Sequence, residues 1–327
     1  MNETPKQLFD SINALFENVS LKELKTINLE LSKKYKKQKH NFFSSDKERL
    51  SYIASRMPAT TKAIEYSLNE IKNITPKISI KSVLDLGSGS GATLWALLSI
   101  FTSENGKLKT DFPRTFLVEK DEKMIFYAKE LLKNVKGISK KVTFGKNDIL
   151  RVKNYDFDLL MLSYVANELK NFQIDKIIKR WVFSKSKVIV FIEPGTKYGF
   201  KNIKYIRDFL IKKGCNLIAP CPNTLKCPMP KNDWCHFYVR VKRSKIHKYL
   251  KGGTLGYEDE KFSYVIATKE KVKYPKARIL RFVKKTKQDI SFTLCKDGKV
   301  LNEKVSRKGK KRDKIIEKLN WGDVFDV

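Results

Sequence analysis

The sequence is short of acid, of arginine and of long apolar runs, and each shortage narrows what the protein does. Its 327 residues carry 35 Asp and Glu against 68 Lys and Arg, a formal charge of +33. A fold needs no such excess and is strained by its self-repulsion, so the charge points to a polyanionic partner, nucleic acid first. Only 12 of the basic residues are Arg, a bias that an AT-rich genome alone can produce. That bias would raise Glu as well, and acids are few. No apolar stretch approaches the ~20 residues that span a bilayer, which argues against an integral membrane protein. The longest, Val188 to Ile192, has the length of a buried strand. The first twenty residues hold Glu3, Asp10 and Glu17, and the first Arg is Arg49. They lack the Arg-rich, acid-poor makeup of a transit peptide and the apolar centre of a signal peptide. The resulting expectation is a protein of a reducing cytoplasm, where clustered cysteines report metal or redox chemistry before disulfides.

A disordered basic tail is excluded by 41% hydrophobic and 11% aromatic residues, enough for a sizeable core. The length suggests about two domains of ~150 residues. No internal repeat or low-complexity linker is visible. Residues 1–75 read as helical: Leu8, Ile12, Leu15 and Phe16 share a face, and Leu21, Leu24, Ile27, Leu29 and Leu31 continue it. Lys33, Lys34, Lys36, Lys37 and Lys39 form a solvated, basic run. Pro58 is expected to end one helix and begin the next, which turns Ile64, Leu68 and Ile71 inward.

From about Ser79 the pattern changes to short β-rich runs separated by helical stretches: VLDLG (83–87), TFLVE (115–119), VTFGK (142–146), FDLLMLS (157–163) and VIVFIE (188–193). That alternation predicts a parallel sheet with crossover helices. A helix is expected from Lys201 to Lys213, and two further strands at HFYVRV (236–241) and FSYVIATK (262–269). The fold class is therefore α/β, a seven-stranded Rossmann-like methyltransferase-type core with five helical crossovers. A helical region (1–75) precedes the core (76–270, with a Cys-rich insertion at 215–237). A basic C-terminal β unit and tail (271–327) follow, with strands near 277–283, 290–295 and 299–305, then a basic helix and WGDVF.

The turn after the first strand reads Asp85, Leu86, Gly87, Ser88, Gly89, Ser90, Gly91. Glycines there let the backbone approach a ligand closely. The acid two residues before the first glycine suits the cationic methionine end of S-adenosylmethionine (SAM), whereas a pyrophosphate would avoid it. No GKS or GKT follows, which disfavours a P-loop. Glu119 ends the second strand, where an acid accepts both ribose hydroxyls; Asp148, after the third, is placed to meet the adenine amino group. SYVANEL (163–169) ends the fourth strand. Ser163, Tyr164, Asn167 and Glu168 are polar enough to contact SAM or a base, but the segment has neither a D/N-P-P-aromatic motif nor a Cys nucleophile. No catalytic residue can be assigned, so the sequence speaks for SAM binding more than for methyl transfer.

Of five cysteines, Cys221, Cys227 and Cys235 share a proline-stiffened stretch, APCPNTLKCPMPKNDWCHF (219–237). Thiolates on a stiff loop converge on a metal without first ordering a flexible chain. A fourth ligand must come from elsewhere, with Cys295 and His236 as candidates. Cys215 reads as a small buried hydrophobe. The spacing lacks the CxxC knuckles of most zinc sites and suits a wider 4Fe-4S cluster, yet leaves zinc open.

Taken together, YIASRMPAT (52–60), VLDLGSGSGATLWA (83–96), SYVANEL (163–169), FIEPGTKYGF (191–200), the 219–237 run, EDEKFSYV (258–265), ARILR (277–281), LCKDG (294–298) and WGD (321–323) resemble one family. It is the mitochondrial small-ribosomal-subunit methyltransferase-like assembly factors, which include methyltransferase-like protein 17 and bacterial relatives. The glycine motif is widespread; the Cys-rich run followed by EDEKFSY is far more specific. The resemblance implies a SAM-binding core, a 4Fe-4S cluster on Cys221, Cys227, Cys235 and Cys295, and a role in assembling the small subunit on its rRNA. It also implies SAM contacts from Gly87, Ser88, Gly89, Gly91 and Glu119, and gives Cys215 no counterpart.

The expected partners are small-subunit rRNA and a pre-30S-type particle, with no membrane and a monomer when free. Lys269–Lys287, with nine basic residues and one acid, and Arg307–Lys314, with six and one, flank Cys295 and are expected to form one rRNA-binding face. Two other readings stand beside this one: an active SAM-dependent rRNA methyltransferase, and a zinc-stapled RNA-binding module with a vestigial SAM pocket.

Overall fold

The computed structural model describes residues 6–17, 19–36, 43–103, 107–307 and 313–326. The N-terminal region is helical: α1 (Lys6–Leu15), α2 (Leu21–Lys36) and α3 (Asp46–Ile74). Lys37 and Lys39 of the basic run lie outside the described residues. Ser45 caps α3 by accepting the Glu48 amide, which fixes its start. Pro58 does not break α3, against expectation. A mid-helix proline costs about 3 kcal/mol, but Ile53, Met57, Ala59, Ala63 and Ile64 on either side of it are buried in the core, and that packing outweighs the lost bond.

The main sheet is built from β1 (Ser82–Leu86), β2 (Arg114–Glu119), β3 (Val142–Lys146), β4 (Leu159–Ser163), β5 (Val188–Pro194), β6 (Asn216–Ala219), β7 (Phe237–Lys242) and β8 (Tyr257–Thr268). Its order is β3-β2-β1-β4-β5-β8-β6, with β7 also on β8. Strands β1 to β5 pair in parallel, and β8 runs antiparallel between β5 and β6. The sheet thus has eight strands rather than seven. The extra one, β6, is four residues long and ends where the Cys-rich stretch begins, so its apolar run is too short to stand out. Helices α4 (Ala92–Phe101), α5 (Glu122–Leu132), α6 (Asn171–Phe183) and α7 (Lys197–Lys212) make the crossovers. The β3–β4 connection contains no α-helix, so the expected fifth crossover helix is absent among the described residues. Helix α7 starts before Lys201 because Thr196 caps it through the Gly199 amide. After β7, α8 (Lys245–Lys251) returns the chain to β8.

Alternation along the strands divides the core in two. Val83, Leu117, Leu159, Met161 and Val190 face α3, α4 and α5, while Leu84, Val118, Leu160, Leu162 and Phe191 face α6 and α7. A second sheet follows, of β9 (Ala277–Ile279), β10 (Lys284–Lys285), β11 (Asp289–Lys296), β12 (Lys299–Ser306) and β13 (Val324–Phe325), with a short α9 (Asp313–Ile316). It has its own core of Ala277, Ile279, Ile290, Phe292, Leu294, Ile316 and Phe325. The period of two then turns Arg278 and Cys295, which are register partners, to the opposite face. No described helix is long and apolar enough to cross a membrane.

Candidate cofactor sites

The C-terminal ends of the parallel strands form one edge, and the glycine loop sits at its centre. Gly87, Gly89 and Gly91 have φ of 80, 53 and 85°, conformations that favour glycine. A Cβ on Gly87 would lie 2.6 Å from Val165 Cγ2, so the loop packs against the segment after β4. The Gly87 and Ser88 amides donate to Val118 O at 2.8 and 3.0 Å. Glu119 accepts the Gly89 amide at 2.9 Å with one carboxylate oxygen, and the Lys120 and Asp121 amides with the other. It therefore closes the loop from the end of β2.

Asp85 is 1% exposed, and burial pushes its carboxyl up to about 7, against a stabilising hydrogen bond from Thr93. Ser163 Oγ is buried at the end of β4 without a partner among the described residues. Asp148 is exposed beyond β3 and accepts the Leu150 amide at 2.8 Å. Asp85, the glycine loop and Glu119 are thus brought together, while Ser163 and Asp148 flank them on neighbouring strands.

Beside this loop the structure ties Tyr164, a candidate from its motif, to Glu260 and Arg56, which motif reading did not connect to it. Tyr164, with φ 61°, donates to Glu260 at 3.1 Å, and Glu260 holds Arg56 in a two-pronged pair at 2.6 and 3.0 Å. These residues lie about a hundred and two hundred positions apart, so no local pattern marks them. Glu193, at the end of β5, is fully buried; burial pushes its carboxyl up to about 8, and it accepts the Ala166 amide at 2.9 Å. It holds the turn that follows Tyr164.

The second site lies between the two sheets. Cys221, Cys227 and Cys235 from the β6–β7 loop and Cys295 from β11 line one cavity of about 40 Å³. All are free thiols. Burial pushes the Cys235 thiol well up, and the neighbouring Cys221, Cys227 and Cys295 add to it. Burial also pushes Cys295 up to about 12, again with Cys221 and Cys227 adding. Among the described residues no three His, Cys, Asp or Glu side chains stand as a group that could hold a single metal ion. His236 does not line the cavity: its ring stacks on Trp234 at 5.2 Å and meets Trp321 edge-on at 4.9 Å. Cys215 is 4% exposed and packs into the core beneath α7.

Two guanidinium groups, Arg207 and Arg278, line the cavity, a role that sequence reading did not give them. Arg207, on α7, donates through Nε to Cys221 Sγ at 3.2 Å and through Nη2 to Leu225 O. Arg278 is 1% exposed. It donates to Pro220 O at 2.9 Å, and its Nη1 reaches Glu70 and Gly322 O, both at 2.7 Å. Its Nη2 has no partner among the described residues. Four thiols and two guanidinium groups thus line one space between the two sheets.

A parallel sheet with one antiparallel strand inserted near its edge, and a glycine turn after β1, make this an α/β protein whose fold resembles the SAM methyltransferases. Residues 46–326 match the sequence model of the Rsm22 family, described as mitochondrial small ribosomal subunit Rsm22, and the chain belongs to that family. It is 24% identical over 303 residues to the human mitochondrial ribosome assembly protein METTL17, covering 85% of this chain and 62% of that protein. It is 26% identical over 202 residues to the mitochondrial Rsm22-cox11 tandem protein 2 of Schizosaccharomyces pombe, covering 57% of this chain and 26% of the relative. The chain thus spans less than two thirds of either relative.

Among solved structures, the magnesium protoporphyrin IX methyltransferase of Synechocystis with bound SAH aligns at a TM-score of 0.42 and 12% identity, over 76% of this chain and all of that one. The precorrin-6y C5,15-methyltransferase of Geobacter metallireducens aligns at 0.40 and 14%, over 64% and 87%.

The expected cytoplasmic location is overturned. The relatives are mitochondrial proteins and the family is a mitochondrial ribosomal one, which points to the mitochondrion instead. The cytoplasmic expectation rested on the makeup of residues 1–20, which lacks a transit-peptide or signal-peptide signature.

Proposed function

We propose that this protein is a SAM-binding assembly factor of the small ribosomal subunit that carries a 4Fe-4S cluster on Cys221, Cys227, Cys235 and Cys295. The observation that carries the proposal is the shared cavity: three thiols from the β6–β7 loop and one from β11, with Arg207 and Arg278, whose Nη2 has no partner among the described residues, also lining it. Thiols spread around a cavity suit the separated corners of a cluster better than the tight tetrahedron of one zinc ion. When bound, the cluster would link the folded state to iron–sulfur supply. Arg207 and Arg278 would offset its negative charge. Residues 76–270 would form the SAM-binding core and 271–327 the basic unit held against it.

For SAM, Glu119 would take the ribose hydroxyls, Asp85 would face the cationic methionine end, and Gly87 to Gly91 would give the backbone its close approach. Asp148 and Ser163 would border the ligand. Tyr164, fixed by Glu260 and Arg56, would hold the side where an acceptor base enters. That tie, together with the lack of a nucleophile, favours SAM as a structural or regulatory ligand.

The rRNA-binding face would be the Lys269–Lys287 segment with Arg307–Lys314, of which residues 308–312 lie outside the described set. Two of its arginines face inward: Arg278 pairs with Glu70 and Arg281 with Asp233. Within Lys269–Lys287 the phosphate contacts therefore fall to the lysines.

Metal and sulfide analysis on protein purified without oxygen tests the cluster. About four iron and four sulfide per chain, with a broad band near roughly 400 nm, are expected. One zinc and no sulfide would overturn it. Cys295→Ser should weaken RNA binding by releasing the C-terminal sheet, and an unchanged affinity and salt slope would refute that stapling role.

A further inference from the structure

Helix α6 carries a row of side chains that nothing inside the described molecule covers. Its inner face, Ile174, Ile177, Ile178 and Trp181, is buried against the sheet. Its outer face presents Phe172, Lys176, Lys179 and Phe183, whose spacing puts them on one stripe. Phe183 is 89% exposed and Phe172 66%, and Phe183 is the most exposed large hydrophobic side chain described. With Lys153, Asp156 and Arg180 the stripe frames an open groove. Lys153, Lys176 and Lys179 make no ion pair or side-chain hydrogen bond among the described residues, while Arg180 donates to Leu150 O and Val152 O and so fixes the groove floor.

We infer that this face of α6 binds a single-stranded segment of RNA, with bases stacked on Phe172 and Phe183 and phosphates on the lysines between them. The inference rests on the ribosome-assembly reading above and adds a surface to it. Charge complementarity selects the occupant. Four basic side chains and one acid surround two phenylalanines, a composition that repels an ordinary basic surface and leaves an apolar protein helix with unmatched ammonium groups. A single strand supplies both a polyanion and unstacked π-faces; a duplex hides its bases. The rings stand ~16 Å apart along the helix, so a strand lying on the stripe meets both.

The stripe also continues into the basic segment assigned to rRNA. Lys269 donates to Ser184 O at 2.5 Å at the end of α6 and lies over the Trp181 ring at 5.3 Å. Beyond it, Lys271 and Lys273 are exposed.

The test compares the full chain with Phe172→Ala/Phe183→Ala and with Lys176→Gln/Lys179→Gln. Binding to a fluorescein-labelled oligouridine and to a blunt RNA duplex is measured across a salt series. All four positions are exposed, so melting temperatures should match the parent and confirm folding. The Phe variant should lose at least about thirtyfold in affinity for the single strand, with duplex affinity and salt slope unchanged. The Lys variant should lower the single-strand salt slope by about 1.4, or ~0.7 per contact.

Single-strand affinity unchanged in the Phe variant, while the parent binds RNA, overturns the α6 surface and leaves the assembly-factor reading standing. The same result, with loss of a ribosomal protein partner instead, reassigns the stripe to protein contact. A parent chain that binds neither RNA overturns the assembly-factor reading and this inference with it.

Discussion

Replacing Arg278 by Met keeps the length of the side chain and removes its charge and all its donors. The guanidinium is 1% exposed, and it ties Glu70 on α3, Pro220 before the Cys-rich loop and Gly322 in the tail to one point on β9. Without it, Glu70 keeps only Tyr264 as a side-chain partner, at 3.3 Å, and two carbonyls lose a donor. Removing one partner of a buried ion pair costs about 3–5 kcal/mol. Most of that is the penalty on the carboxylate left behind, so neutralising Glu70 as well should return part of it.

A double-mutant cycle with Glu70→Gln separates the terms. Residues sharing one network couple by about 0.5–3 kcal/mol, and we expect the upper half of that range here. Urea unfolding of the full chain followed by tryptophan fluorescence measures it, since Trp321 sits beside Gly322. Iron content read on the same four proteins should fall with Arg278→Met. A coupling energy under about 0.5 kcal/mol would refute the claim that Glu70 and Arg278 form one buried pair between α3 and the second sheet.

Three further outcomes are expected. Because the folded chain holds the Asp85 proton up to about 7 and the unfolded chain releases it near 3.8, the unliganded protein should lose stability as pH rises between those values. A cationic ligand needs Asp85 ionised, so SAM should bind ~tenfold more weakly per pH unit below about 7; calorimetric titration that finds the same slope in Asp85→Asn would sink the assignment. Glu193, pushed up to about 8 by burial, is neutral at pH 7, so Glu193→Gln should change stability by less than ~1 kcal/mol. A much larger loss in thermal unfolding would mean that the carboxylate is ionised. Gly87→Ala meets both a positive φ and Val165 at 2.6 Å, whereas Gly89→Ala meets only Met124 at 3.7 Å. The first should cost about 1–3 kcal/mol more in a melt, and equal losses would count against the packing of the loop on Val165.

Much of the core could be read before any coordinates, for a physical reason. Strands β1, β2, β4 and β5 are buried on both faces, so each must be a short continuous apolar run, and a glycine turn must follow where the backbone bends sharply. Asp85, the glycines and Glu119 take their relative positions from that connectivity, which is why they were legible together. Pro58 misled because its local cost is fixed by the backbone while its compensation comes from Met57 and Ile64 packing against other elements. Strand β6 was missed because four residues carry no period. The single-strand stripe on α6 is written in the sequence as a helical spacing, but its exposure depends on which side of the helix the sheet covers.

The sequence by itself determined the charge, the parallel β-and-helix alternation, the glycine loop and the set of thiols available for a metal. Spacing alone left Cys295 and His236 open and the resemblance implied Cys295; the tertiary structure puts Cys295, and not His236, on the lining of the cavity with Cys221, Cys227 and Cys235. It alone decided that Arg207 and Arg278 line that cavity. Those choices depend on two sheets meeting across the β6–β7 loop, where residues separated by fifty or more positions come within a few ångströms. Local propensity and periodicity act over one turn or one strand, so they carry no record of that meeting.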